Sequence, residues 1–280
     1  MSSGPQNNPE YVTNALYSAE DEDGTSYYYR GNVNNNYVQF GEYESDYYVY
    51  YLNNYGYSYY FQSLESCQEY NSSCSESNKV KLASAGDKMY WKIVRVNGDG
   101  SLRLIYNGTS ATPSNSDLAN SYAVGITPYN LEYNDPKYTG YTYDNGIDSF
   151  IKKEVDTWYS NTLGKTSYDN KVLGGRFCSD SSGYKLDETS GFNVFASYDR
   201  LGQALYNYAK DNAPTLKCPA ATESYGGSYR LKAGLITADE LVLAGENFGV
   251  IGNSYLNPGN SEMYYWTMTP AGFGNADAIV

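Results

Sequence analysis

The segment YWKIVRVNGDGSLRLIY, Tyr90 to Tyr106, constrains the fold more than any other part of the chain. Two runs rich in aliphatic and aromatic residues flank Asn-Gly-Asp-Gly-Ser, the turn chemistry of an antiparallel hairpin. Placing Val94 and Val96 opposite Leu104 and Leu102 leaves Asn97 to Ser101 as the turn. That register also sets Arg95 opposite Arg103 on the other face. Like charges directly opposite repel, so carboxylates are expected beside them. Asn97, Asp99 and Ser101 imitate the start of a calcium loop. Leu102 stands where such a loop needs Gly, however, and Gly108 where it needs an acid, so no metal is assigned.

Around this hairpin the punctuation predicts further short elements. Ser26 to Arg30 and Tyr37 to Phe40 read as strands joined by an Asn-rich turn. The stretch YYVYYLNNYGYSYYFQSLESC carries Tyr on both faces and reads as a protruding hairpin insertion, about residues 42–88, that ends in the Cys67–Cys74 loop. Helices are few. Ile151, Val155, Trp158 and Tyr159 form one stripe, with Gly164 as C-cap. Leu201, Leu205 and Tyr208 form another, stopping before Pro214. In GLITADELVLAGE, Thr237 and Glu240 make a capping box, Ile236 and Leu241 the staple, and Gly245 the stop. Residues 1–26 read as a polar N-terminal extension, and residues 27–280 as a single domain. Within the extension, Tyr11, Val12, Leu16 and Tyr17 recur at near-helical spacing, and Glu20 to Asp23 read as an acidic spacer.

The formal net charge of -13 argues against nucleic acid and anionic membrane surfaces, which are bound by clustered Lys and Arg. With no apolar run long enough to span a bilayer, no direct membrane insertion is expected. Four cysteines, Cys67, Cys74, Cys178 and Cys218, fit structural disulfides in an oxidising compartment, hence an extracellular or cell-surface protein. Three pairings are open. Cys67–Cys74 with Cys178–Cys218 is favoured, closing one short polar loop and one long one. The start is polar and lacks a signal peptide, so this reading takes the chain as a mature or truncated form.

Histidine is absent, so neither a Ser-His-Asp nor a Cys-His arrangement can be built, and the usual zinc spacings are missing. Adjacent acids such as Asp239 and Glu240 point apart and suit a helix first turn rather than a glycosidase pair. The glycine-rich VLGGRF lacks the Lys and Ser or Thr of a phosphate loop. No enzyme and no cofactor are expected. What stands out is 35 Tyr against 8 Phe and 3 Trp. Tyr offers a rigid apolar ring with a polar tip, suited to strands and to contact surfaces alike.

The order of these pieces carries a resemblance: NNNYVQF, then YWKIVRVNGDGSLRLIYNGT, a Trp-bearing helix, FCSD, LKCP, GLITADELVLAG and YYWTMTPAGF. From about Tyr27 to Val280 the chain resembles a divergent C-type-lectin-like domain of secreted bacterial surface proteins. The resemblance implies an α+β fold with small twisted antiparallel sheets, a few flanking helices and long irregular loops. It implies that the segment around Trp266 is a central strand with that Trp in the core, and that a last strand is incomplete or supplied by a neighbour. The Glu-Pro-Asn and Gln-Pro-Asp triplets of calcium-type sugar binders are absent. The expected function is a non-enzymatic adhesin or ligand-binding module. Its Tyr-rich loops, Tyr47, Tyr48, Tyr50, Tyr55 and Tyr57 together with Tyr141 and Tyr143, would meet a glycan or protein ligand. The alternative is a structural subunit of an extracellular filament, pilus or sheath, which binds other copies of itself.

Overall fold

β-Branched and aromatic residues on both flanks of the Asn97–Ser101 turn do form a hairpin, and it is the centre of the main sheet. The computed structural model describes residues 15–33, 35–112, 123–131, 141, 148–179, 185–186, 193–194, 214–218, 227–246, 254–256 and 266–269. In the main sheet β1 (Ala15–Asp21), β2 (Gly24–Arg30), β7 (Lys88–Val96) and β3 (Tyr37–Glu42) lie in that order, and β8 (Leu102–Tyr106) pairs with β7. All pairs are antiparallel. A second sheet has the order β5 (Tyr57–Phe61), β4 (Tyr47–Asn54), β6 (Lys79–Ala83). Two-stranded pairs join β9 (Gly175–Ser179) to β12 (Gly227–Leu231) and β10 (Lys185–Leu186) to β11 (Asn193–Val194). Helices α1 (Leu64–Tyr70), α2 (Phe150–Asn161) and α3 (Ala238–Ala244) flank them. The fold is therefore α+β. Among the described residues, no helix is long and apolar enough to cross a membrane.

The β7–β8 register places Arg95 opposite Arg103 and Val96 opposite Leu102, as the sequence predicts. A bulge between Ile93 and Arg95 then shifts the ladder, so Ile93 and not Val94 faces Leu104. The extra residue sends Val94 into a core with Val33, Ile236, Leu241, Ala244 and Tyr255.

The N-terminal extension needs correction. Ala15 to Asp21 form an edge strand paired residue for residue with β2, from Ala15 opposite Arg30 to Asp21 opposite Gly24. Leu16 and Tyr17 are consecutive strand residues, not neighbours on a helix, and Tyr17 stacks on buried Tyr28 with ring centroids 5.9 Å apart. In the acidic stretch Glu20, Glu22 and Asp23 are exposed, but Asp21 is buried. The buried Asp21 carboxylate accepts from Ser26 Oγ at 2.6 Å, Asp23 N at 2.8 Å and Gly98 N at 2.9 Å, which ties the β1–β2 turn to the β7–β8 turn. The turns meet closely: a Cβ on Gly98 would stand 2.4 Å from Gly24 N. Tyr11 and Val12 lie outside the described residues.

Residues 42–88 are likewise more than a protruding hairpin. Tyr43, Tyr47 and Val49 pack with Met89 and Trp91 of β7 and with Trp158 of α2, so one core joins both sheets. On the opposite side, Tyr50, Leu52 and Phe61 bury the Cys67–Cys74 bridge together with Phe150. Cys178 and Cys218 form the second bridge, so the favoured pairing is the one present.

Local chemistry accounts for the helix ends. Ser63 caps α1 and Ser66 reciprocates; Ser149 caps α2; Thr237 and Glu240 cap α3 in a full capping box. Gly245 adopts the left-handed conformation that ends α3, and buried Arg30 donates to the last carbonyls of that helix, Val242 O at 3.0 Å and Leu243 O at 3.1 Å. α2 ends at Thr162 rather than at Gly164, which sits inside a following 3₁₀ turn. The Leu201–Tyr208 stripe lies outside the described residues. Residues Trp266 to Thr269 are irregular, not a strand, and the fully buried residues there are Thr267 and Met268. Trp266 is half-buried at the rim of that cluster, edge-on to Tyr129 at 5.6 Å, with Nε1 donating to Thr127 O at 2.8 Å.

Candidate functional site

The β4–β5 hairpin is the best candidate. Its register runs from Tyr50 opposite Phe61 to Asn54 opposite Tyr57, leaving Tyr55-Gly56 as a two-residue turn. Both turn residues have positive φ, 51° and 85°, which is the pattern of a type I′ turn that normally takes Asn-Gly. Tyr55 is the one non-glycine at positive φ among the described residues. A Cβ in that conformation crowds the following carbonyl and costs roughly 1–2 kcal/mol. Tyr55 nevertheless occupies it, and its side chain is 93% exposed.

Strand alternation then builds an aromatic row behind the tip. Tyr57, Tyr59 and Phe61 share one face, passing from 70% exposed at Tyr57 to fully buried at Phe61. Tyr59 and Phe61 stack at 6.1 Å, and Tyr70 of α1 packs on both, at 4.8 Å and 5.3 Å. Asn54 Nδ2 donates to Tyr70 Oη at 3.2 Å. The hydrogen bond with Tyr70, followed by burial, pushes the Tyr59 phenol up to about 12, so that ring stays neutral at physiological pH. On the reverse face Tyr51 and Tyr60 lie 5.0 Å apart. The base is held by Asn78, which donates to Tyr51 O at 3.0 Å, and by Tyr50 Oη donating to Glu76 at 3.1 Å. The stem thus presents the Tyr55 and Tyr57 rings and the Asn53 amide to solvent.

Of the tyrosines expected at a binding surface, Tyr55 and Tyr57 stand at this tip. Tyr48 is 39% exposed on β4, under the Lys79 ammonium at 5.1 Å. Tyr47, Tyr50 and Tyr141 are buried and offer nothing to a ligand. Tyr47 shares its strand face with Val49, which packs on the main sheet; Tyr50 faces the disulfide; Tyr141 is enclosed with Tyr129, Ile151, Phe177 and Met268. Tyr143 lies outside the described residues. Tyr59 and Tyr70 were missed. The two-residue spacing from Tyr57 marks Tyr59, whereas nothing local marks Tyr70.

A second polar assembly lies under α3. The Glu240 carboxylate lies 3.4 Å from Arg95 Nε and 3.3 Å from Arg103 Nε, and Asp21 adds a contact to Arg95 at 3.8 Å. The carboxylates required by the paired arginines are therefore present. Burial opposes the charge on Glu240, but Arg103 and Arg95 outweigh it and hold the carboxyl below its usual range. Arg103 also lies over the Phe177 ring at 3.6 Å. The space among these groups admits little more than a water-sized sphere, so it suits a structural ion cluster and not an organic ligand. Glu22, Cys178 and Cys218 are the described group with metal-like proximity, within 4.8 Å, but both sulfurs are already joined to each other. No protein-family model, no curated protein and no solved structure matches the chain.

Proposed function

We propose that the protein is a non-enzymatic, extracellular bacterial surface module of C-type-lectin-like build. It binds a glycan or protein ligand through the Tyr55–Tyr57 tip of the β4–β5 hairpin. One observation carries this reading: Tyr55 holds a conformation that Asn or Gly would adopt more cheaply, and it exposes nearly its whole ring. Strain kept where it gives the fold no packing in return is the mark of a site selected for contact. Two disulfides support an oxidising location.

The test is Tyr55→Asn, assayed on arrays of immobilised glycans and extracellular-matrix proteins. The turn prefers Asn, so thermal stability should hold or rise by about 1 kcal/mol. Retention of the wild-type protein on its array ligand should fall at least tenfold in the variant. Unchanged retention with unchanged folding removes the tip from the site.

A filament subunit is the second reading, and the edge strand favours it. Among the described residues β1 pairs only with β2, and Leu16 on it is exposed. Such an edge can template another chain. Electron microscopy of concentrated protein separates the two: polymers support the subunit and discrete monomers the binder.

A further inference from the structure

Glu154 is a buried acid that neither the hairpin tip nor the ion cluster accounts for. α2 turns it inward, where Gln62 N donates to Oε2 at 2.8 Å and the Ser66 hydroxyl faces the same carboxyl. Gln62, one residue beyond β5, is itself a tie. Its side-chain oxygen accepts from Tyr47 Oη at 2.6 Å, and its amide donates to Val124 O at 2.5 Å. Beside it, Tyr60 and Ile126 exchange backbone hydrogen bonds at 2.8 Å and 3.2 Å. The Glu154–Gln62 contact therefore joins β4, β5, α2 and the segment 123–127 in one place. There is little slack: a Cβ on Gly125 would come within 2.9 Å of both Gln62 Nε2 and Tyr60 O.

The groups facing Glu154 do not compensate a charge. From β4 comes the neutral phenol of Tyr47, and from the end of β5 the uncharged Gln62. From α1 come Ser66 and Glu69, the latter a second acid. The nearest cation in sequence, Lys153, reaches out to Glu69 at 3.6 Å and is half exposed. Among the described residues, no Lys or Arg forms an ion pair with Glu154.

We infer that Glu154 is a proton-operated latch: taking up a proton tightens the junction between the β4–β5 sheet and α2, and ionisation loosens it. Burial pushes the carboxyl up to about 7, against the opposing pull of Ser66 and Gln62 N. The protonated acid keeps an oxygen able to accept the Gln62 N–H. In the unfolded chain the group titrates near its ordinary value of 4.5. Between 4.5 and 7 the folded protein thus holds a proton that the unfolded chain releases. Stability from this residue is present at the acid end of that window and is lost as pH rises through about 7. Going from pH 8 to pH 5, it raises the folding equilibrium constant roughly 70-fold. The latch is independent of what the hairpin tip binds.

Two measurements test it. In the wild-type protein, the amide resonance of Gln62 should titrate with a midpoint near 7, and in Glu154→Gln it should be flat. Urea denaturation should show the stability of Glu154→Gln relative to wild type rising from pH 5 to pH 8. Glu246, a second buried acid that burial also raises and that accepts from Ser254 Oγ, is the control: Glu246→Gln leaves the Gln62 resonance titrating. A wild-type midpoint below about 5 overturns the proposal, and that result does not depend on any variant folding. So does a Glu154→Gln protein that folds and gains nothing over wild type between pH 5 and pH 8.

Discussion

Glu240 serves two structures at once. Its carboxylate accepts from Thr237 N at 3.0 Å to close the capping box of α3, and it neutralises the opposed guanidinium groups of Arg95 and Arg103. The two roles can be separated. Glu240→Gln keeps a side chain able to complete the box but leaves the arginines facing each other, so it should cost about 3–5 kcal/mol. Thr237→Ala loses only the cap and should cost about 1 kcal/mol. Urea denaturation of both variants checks this, and equal losses would deny the ion pairs any role in stability. Because the folded carboxyl lies below its ordinary range, its contribution is present above pH 4.5 and fades as pH falls through the lower folded value. The need for an acid here was readable from the hairpin register alone, but its identity was not. A register says which side chains share a face, and it is silent on which distant element covers them. Trp266 shows the opposite error. The resemblance implies a Trp in the core, yet the indole N–H donates to Thr127 O, which holds the ring at the rim while Met268 fills the core. Met268→Ala should therefore cost about 2–5 kcal/mol, more than Trp266→Ala.

At the scale of the element, strong local signals survived and weak ones were overridden. The capping box and glycine stop of α3 are short-range chemistry, and the helix runs from Ala238 to Ala244 between them. β1 had no such signal. Its sequence, ALYSAED, is polar and acidic, and only the neighbouring β2 makes it a strand. What the pairing stabilises is visible in Tyr17 stacked on Tyr28 and in Asp21 accepting three hydrogen bonds. Deleting residues 1–21 would strip the ring from buried Tyr28 and orphan the amide of Gly98. Roughly 3 kcal/mol of stability should be lost, measured as a lowered Tm of the monomer. A deletion variant with the wild-type Tm would return this segment to the status of an appendage. The β4–β5 hairpin lies between these cases. Its turn is legible from Asn-Asn-Tyr-Gly, but with Tyr in four of the five register pairs the sequence did not say which rings were core. The answer came from the second layer: α1 and the Cys67–Cys74 bridge cover one face, and β7 and α2 cover the other.

Across the whole molecule, the two disulfides secure different things, and removing them should show it. Cys67 and Cys74 are separated by 7 residues and buried under Phe61 and Phe150, so they staple one small layer of core. Cys178 and Cys218 are separated by 40 residues and join β9 to the segment 214–218. That segment in turn touches the first hairpin: Glu22 accepts from Cys218 N and lies 3.8 Å from Arg176 Nε, and Thr215 N donates to Asp239 of α3 at 3.1 Å. In the chain-entropy model the short loop contributes about 2.5 kcal/mol and the long one about 4 kcal/mol. The paired substitution Cys178→Ala with Cys218→Ala should thus cost more than Cys67→Ala with Cys74→Ala, with packing losses at the buried short bridge narrowing the gap. Hydrogen exchange should separate them further. Loss of the long bridge should raise exchange in β9, β12 and the β1–β2 turn, because the ties through Glu22 and Arg176 lose their anchor. Loss of the short bridge should raise exchange in α1 and at the end of β5 and leave β9 protected. If both double variants open the same amides to the same degree, the molecule unfolds as one unit and the two bridges do not hold separate parts of it.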